Sequence, residues 1–297
     1  MAVDKDFYNE ASAAKLGWEP SWFTPGHVLF DEKLTRAIRK FQKEMDLVQD
    51  GMCGPTTYRR LVAKMESEWE FVGPEWTPTN TDTLWYNDTP VTINWPADKV
   101  HTFKDEGFPY PISKGFTPYS KKRDVKSFVA HWDVCLNSMS CAKVLAKRGI
   151  SVHFLIDNDG SIIQLHDMND ATWHAGNRKV NHSAVGVEIS NAYYPKYQDW
   201  YVRNGFGERP MKTDAWKGDW HMKPFMGFYP IQLEALGALM EAVHSAFGIP
   251  YVVPTIVDNY DKSTTTGKWT GFMNHFNCSA KKIDCVGYNL KDYFRGE

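Results

Sequence analysis

No stretch of the 297-residue chain supplies the ~18 consecutive apolar residues of a membrane-spanning helix, so no stable membrane insertion is expected. The start, Met1-Ala2-Val3-Asp4-Lys5-Asp6, lacks the basic-then-apolar pattern of a signal peptide, and the expectation is a chain made in the cytoplasm. Charge of one sign is also missing. The 34 Lys and Arg stand against 36 Asp and Glu, a formal charge of −2 without long runs of either sign. That balance excludes a partner held by phosphate neutralisation, so no nucleic acid is expected. Cysteine is scarce. Cys53, Cys135, Cys141, Cys278 and Cys285 form an odd set, which reads as free thiols or metal ligands sooner than as a disulfide framework. Internal repeats and low-complexity tracts are absent. What the chain has in plenty is aromatic residues, 14% with 12 Trp, which serve either flat sugar-like ligands or well-filled cores. Composition does not choose between the two.

The length exceeds one typical domain of ~100–200 residues, leaving one large domain or two unequal ones. Leu34, Ile38, Phe41 and Met45 recur at helical spacing with Asp31 placed to cap, and Pro55 suits the first turn of a helix carrying Tyr58, Leu61, Val62 and Met65. A further helix is expected around Tyr8 to Leu16, stopped by Gly17. These make a small helical domain over residues 1–66. Residues 67–95 have no period and read as a linker, leaving 96–297 as the larger domain. There strands and helices alternate. Residues 127–132 read as a buried strand, 138–148 as a helix stopped by Gly149, 151–156 and 161–166 as a hairpin about Asp157-Asn158-Asp159-Gly160, and 184–190 as a strand. A long helix follows Pro230. Residues 193–227, rich in Trp, Tyr, Gly and charge, read as a surface insertion.

Three features can carry chemistry: His131 at the exit of a buried strand, Glu188 inside an apolar strand, and the cluster from His275 to Cys285. A catalytic zinc site needs three protein ligands and an open position, and His131, His275 and one of Asp284 or Cys285 meet that need. A strand-end histidine is nevertheless more often structural. A carboxylate among strand residues is either half of an ion pair or a tuned acid/base group.

In chain order, residues 128–132 (Phe-Val-Ala-His-Trp), 151–160, Trp173-His174-Ala175-Gly176 and 181–188, together with 275–285, resemble the zinc-dependent N-acetylmuramoyl-L-alanine amidases. That family includes amidase-type phage lysozymes, muramyl-peptide recycling amidases and peptidoglycan recognition proteins. Residues 34–42, 47–57 and Leu61 resemble the three-helix peptidoglycan-binding domain of cell-wall hydrolases. The resemblance implies an α/β fold, a mixed central sheet flanked by helices, behind a small three-helix N-terminal domain. It implies a peptidoglycan hydrolase of the phage endolysin type, cutting the amide between N-acetylmuramic acid and L-alanine with zinc-activated water. The readings set beside it are a recognition protein without catalysis and a zinc peptidase acting on the stem peptide.

Carried over residue by residue, His131 and His275 ligate Zn2+, Glu188 moves the proton, and Lys282 faces the developing oxyanion. Trp173, His174 and Asn181 line the groove, with Trp132 beside them, and for His174 and Asn181 a supporting or packing role is the alternative. Phage relatives place a tyrosine just before the hairpin histidine, where this chain has Val152. For the third ligand, Cys285 keeps the family's distance to Gly287 and Leu290 and is the expected choice. Asp284 stays open because it restores the family spacing of two residues between lysine and ligand. Cys278 is expected to be a packed thiol. The partner implied is bacterial peptidoglycan, met by a monomer made in the host cytoplasm and later released to the cell wall and periplasm.

Overall fold

The computed structural model describes residues 3–74 and 76–295; Met1, Ala2, Glu75, Gly296 and Glu297, which belong to the expected domains and linker, lie outside the described residues. The chain divides into two compact units, Met1–Phe71 and Val72–Glu297.

The first unit holds the helices Lys5–Leu16, Glu32–Glu44 and Pro55–Ser67. Each boundary has a local cause. Asp4 and Asp31 accept hydrogen bonds from first-turn amides, Gly17 closes its helix in the left-handed region, and Pro55 opens the last helix where no amide hydrogen is needed. Leu34, Ile38, Phe41, Met45, Leu61 and Leu16 fill the core. The loop before Pro55 is stitched to the helices: Gln42 accepts from Gly51 N at 2.9 Å and donates to Asp50 and Met52, while Asn9 donates to Gly51 O and accepts from Cys53 N. Gly51 has φ +76, and a Cβ there would meet Thr35 Cγ2 at 2.8 Å, so the loop requires glycine.

The second unit is built on a six-stranded sheet in the order Gly271–Asn274, Ser127–Trp132, Ala184–Ile189, Phe154–Ile156, Ile162–Gln164, Val100–Thr102. Only the Phe154–Ile156 and Ile162–Gln164 pair is antiparallel, joined by the turn at Gly160, so the sheet is mixed. Alternation assigns the faces. Phe128, Ala130, Trp132, Val185, Val187, Ile189 and Phe272 pack with Leu236, Leu239, Met240 and Val243 of the Pro230–Phe247 helix. The opposite face carries Val129, Ala184 and Met273, and beyond them His131 and Glu188. One face of the sheet is thus spent on the core, and the other is left for polar groups.

Three expectations need correction. The stretch 67–95 is not a bare tether: Thr83–Tyr86 and Thr89–Thr92 form a hairpin, and Leu84 and Ile93 are buried in the second unit's core, because that alternating pair has apolar surface to cover. Residues 193–227 are not a surface loop. They hold the Gln198–Arg203 helix and short strands, and bury Trp200, Tyr201, Phe225 and Met226. Trp132 is not in a groove; it packs on Tyr193 and Phe225 from that same segment.

Arg209 fastens the segment. Its buried guanidinium donates to Ser190 O, Gln232 Oε1 at 3.0 Å and Asn158 Oδ1 at 3.0 Å, between the rings of Tyr201 and Tyr229. Removing it strands Asn158 Oδ1 and Gly227 O, each costing about 1–3 kcal/mol, while Ser190 O and Gln232 Oε1 keep a second donor. Arg209→Met should therefore lower the unfolding free energy by at least ~2 kcal/mol in urea titrations. A loss under ~1 kcal/mol would contradict this role.

Candidate metal centre

The parallel register sets the site. His131 pairs with Glu188 on the neighbouring strand, and paired residues of a parallel ladder project to the same face. On the other side of the Ser127–Trp132 strand, Gly271–Asn274 runs directly into the short helix His275–Cys278, so His275 follows at the same end of the sheet. Asn274 and Asn277 form a capping box that fixes this turn. A loop then returns Asp284, whose carbonyl accepts from Phe276 N at 3.0 Å.

Three donor atoms converge. His131 Nδ1 lies 2.8 Å from His275 Nδ1, and Asp284 Oδ2 lies 3.1 Å from the first and 2.8 Å from the second. All three residues are buried. Both imidazoles are held from behind. His275 Nε2 donates to Ala175 O at 3.2 Å, which leaves the Nδ1 lone pair facing inward. His131 Nε2 meets His174 Nδ1 at 2.9 Å, an arrangement that again frees His131 Nδ1. Ligands of a tetrahedral zinc at ~2.0–2.2 Å stand ~3.3 Å apart, close to the spacing here. Two inward imidazole lone pairs and a carboxylate oxygen are a donor set that fits such an ion.

Electrostatics agree with a neutral His131 beside an ionised Asp284. Burial, then the charge of His275, pulls the His131 imidazole down to about 3. Burial alone would raise the Asp284 carboxyl, yet the charge of His275 and hydrogen bonds from both histidines hold it well below the usual carboxylate range. Metal ligation requires these same states of His131 and Asp284.

The expectation for Cys285 is corrected. Its side chain turns away from the histidines into the apolar cluster with Val286, Tyr288 and Leu290, and burial pushes its thiol well up, followed by the charges of Asp284 and Glu188. Asp284 is the residue that reaches the histidines, which puts Lys282 two positions before the carboxylate. Lys282 is exposed, and its charge is felt at His131. Cys278 is a packed thiol against His275 O.

His174 and Asn181 take the supporting places that the sequence left open beside the groove. His174 backs His131, and Gly186 makes room for it: a Cβ there would come within 2.7 Å of the His174 ring. Asn181 is buried, and its Oδ1 accepts from Ala175 N at 2.8 Å, clamping the residue whose carbonyl orients His275. Both are positioning residues rather than groove walls. Trp173 is 43% exposed, with its indole donating to Thr117 Oγ1 at 3.3 Å, and it does stand at the surface beside them. The backing carbonyl of Ala175 had no signal in the sequence, since any residue offers one.

A second convergence, Asp133 with Cys135 and Cys141, is buried as well. There the carboxylate is already engaged by Cys135 N, Asn191 N and Ser190 Oγ.

A buried His, His and Asp set at a sheet end, beside a strand carboxylate, is a group that could hold a metal ion. Residues 121–269 match the N-acetylmuramoyl-L-alanine amidase family model, and the chain belongs to that family. Residues 15–61 match the model of a peptidoglycan binding domain. The first match ends before His275 and Asp284, so the geometry alone brings those two residues into the site. Among solved structures the chain is similar to the endolysin amidase LysCS from Clostridium intestinale URNW, with 18% identity, 64% of this chain and 88% of that chain covered, and a TM-score of 0.34. It is also similar to the amidase AmiD from E. coli, with 20% identity, 46% and 55% covered, and a TM-score of 0.31. For wild-type PGRP-LB from Drosophila the values are 16% identity, 66% and 95% covered, and a TM-score of 0.31. Among curated proteins nothing matches.

If Asn181 acts through Ala175, Asn181→Ala should weaken zinc binding by ~10–100-fold in competition with a chromophoric chelator while the fold persists. An affinity within twofold of the parent would remove Asn181 from the metal's support.

Proposed function

We propose that this chain is a zinc-dependent peptidoglycan amidase of the endolysin type, hydrolysing the amide between the lactyl group of N-acetylmuramic acid and L-alanine. The observation that carries the reading is the convergence of His131, His275 and Asp284 next to Glu188, in a chain of the amidase family. Those three residues would hold the ion. When bound there, zinc supplies Lewis acidity toward the scissile carbonyl and acidifies a water.

The chain's own residues do the rest. Glu188, register partner of His131, accepts a proton from the attacking water and returns it to the departing L-alanine nitrogen. Lys282 places an ammonium where negative charge grows on the carbonyl oxygen, and charge that develops only in the transition state gains most from a fixed cation. His174 and the Asn181-clamped Ala175 carbonyl keep both imidazoles aimed. Trp173 offers an exposed indole edge to the substrate groove.

The first unit matches a polymer-binding module, and tethering raises effective concentration at an insoluble wall without adding chemistry. Soluble recycling substrates would make less use of it. That favours lysis of the bacterial wall as the biological role, with the protein made in the host cytoplasm and acting as a monomer after release to the wall.

Purified peptidoglycan treated with the protein should release new L-alanine amino termini and no new reducing sugar ends, and a chelator should abolish release. Glu188→Gln should retain zinc and lose turnover by ~10²–10⁴-fold. New reducing ends without amino termini would overturn the amidase reading, and undiminished turnover in the variant would remove Glu188 from the proton transfer.

A further inference from the structure

The strands Trp216–Lys217 and Trp220–His221 form a small hairpin within residues 193–227, and the reaction just described gives it no task. It is held firmly. Ala215 and Met222 are buried at its base, where Met222 N donates to Ala215 O at 2.9 Å. At its tip Gly218 N donates to Asp258 O at 3.1 Å, and a Cβ on Gly218, at φ +55, would strike Asn259 at 2.4 Å. Lys217 Nζ donates to Ala280 O at 2.6 Å, on the loop that delivers Asp284 to the histidines. The hairpin therefore touches the loop that leads to Asp284.

Its side chains are sorted by face. Cross-strand partners share a side, so Lys217 and Trp220 project together on the face that meets the Ala280 loop, and Trp216 with His221 on the other. Trp220 is 56% exposed, an unusual place to leave an indole. Lys217 is half-buried, and the charge of Asp284 acts on its ammonium. Its one hydrogen bond among the described residues goes to a neutral carbonyl, while an ammonium has three donors. Lys282 also acts electrostatically on His131, so Lys217 is a second positive charge felt in this site.

We propose that this hairpin is a substrate subsite, in which Lys217 pairs with a carboxylate of the stem peptide and the exposed face of Trp220 carries a sugar ring of the adjoining glycan. The inference rests on the amidase reading for the identity of the substrate. A partly desolvated ammonium held at a fixed point is suited to a charge-assisted bond with a carboxylate, and an indole face to the C–H face of a pyranose. The alternative is that Lys217 only braces the Ala280 loop. A brace would affect every ligand alike, whereas a carboxylate reader separates ligands by charge.

The test is binding of two soluble fragments to zinc-loaded Glu188→Gln protein by calorimetry: an N-acetylmuramoyl tripeptide with free carboxylates, and the same fragment with those carboxylates amidated. The free acid should bind ~10-fold more tightly, and adding Lys217→Met should erase the difference by weakening the acid alone. Lys217→Arg should restore part of it. Equal weakening of both fragments, or a preference that survives Lys217→Met, overturns the carboxylate role. Trp220→Ala should weaken a disaccharide tripeptide ~5–10-fold more than the monosaccharide one, and equal effects overturn the stacking role. Cleavage is scored separately with the parent protein. Selective binding without release of an L-alanine amino terminus leaves the subsite standing and overturns the amidase reading, while cleavage without acid preference does the reverse.

Discussion

Three lone pairs turned toward one point, nearly closed to water, are the constraint on which the second unit depends. His131 Nδ1, His275 Nδ1 and Asp284 Oδ2 stand within 3.1 Å of one another. Packing an anionic oxygen and two basic nitrogens into a buried space is costly unless each is held by other groups. The surroundings answer that cost in layers. The Ala175 carbonyl and His174 take the outer nitrogens, Asn181 clamps Ala175, and Gly186 gives up its side chain so that the His174 ring fits.

The sheet makes the site affordable by separating tasks between its faces. The face under the Pro230–Phe247 helix is filled with Phe, Val, Ile and Leu, each contributing about 1.5–3 kcal/mol on full burial. The other face can then carry His131 and Glu188 without emptying the core. Residues 193–227 extend this scheme. Arg209 locks them to the end of the sheet, Trp132 packs beneath them, and their hairpin is set beside the loop that carries Asp284.

Where periodicity and punctuation decide structure, the sequence was readable. The strand at 127–132, the helix Ser138–Arg148 with Gly149 after it, and the Asp31 and Pro55 helix starts follow from alternation, left-handed glycine and capping. His131 and Glu188 could be singled out because polar residues in apolar strands are rare. The third ligand could not be decided that way. Asp284 and Cys285 are neighbours in one loop, both types bind zinc, and only the backbone path determines which side chain faces the histidines and which enters the core. His174 and Asn181 were left between groove and support because motif membership does not say whether a residue touches substrate or supports one that does. Arg209 and Lys217 gave no signal at all, since their partners are far away in the sequence and include backbone carbonyls that sequence does not distinguish.

The central claim is the identity of the metal set, and metal analysis of two single variants tests it most directly. After loading with zinc and exhaustive dialysis, the parent protein and Cys285→Ala should each retain one zinc per chain, while Asp284→Asn should lose it. Zinc retained by Asp284→Asn and lost from Cys285→Ala would contradict the account.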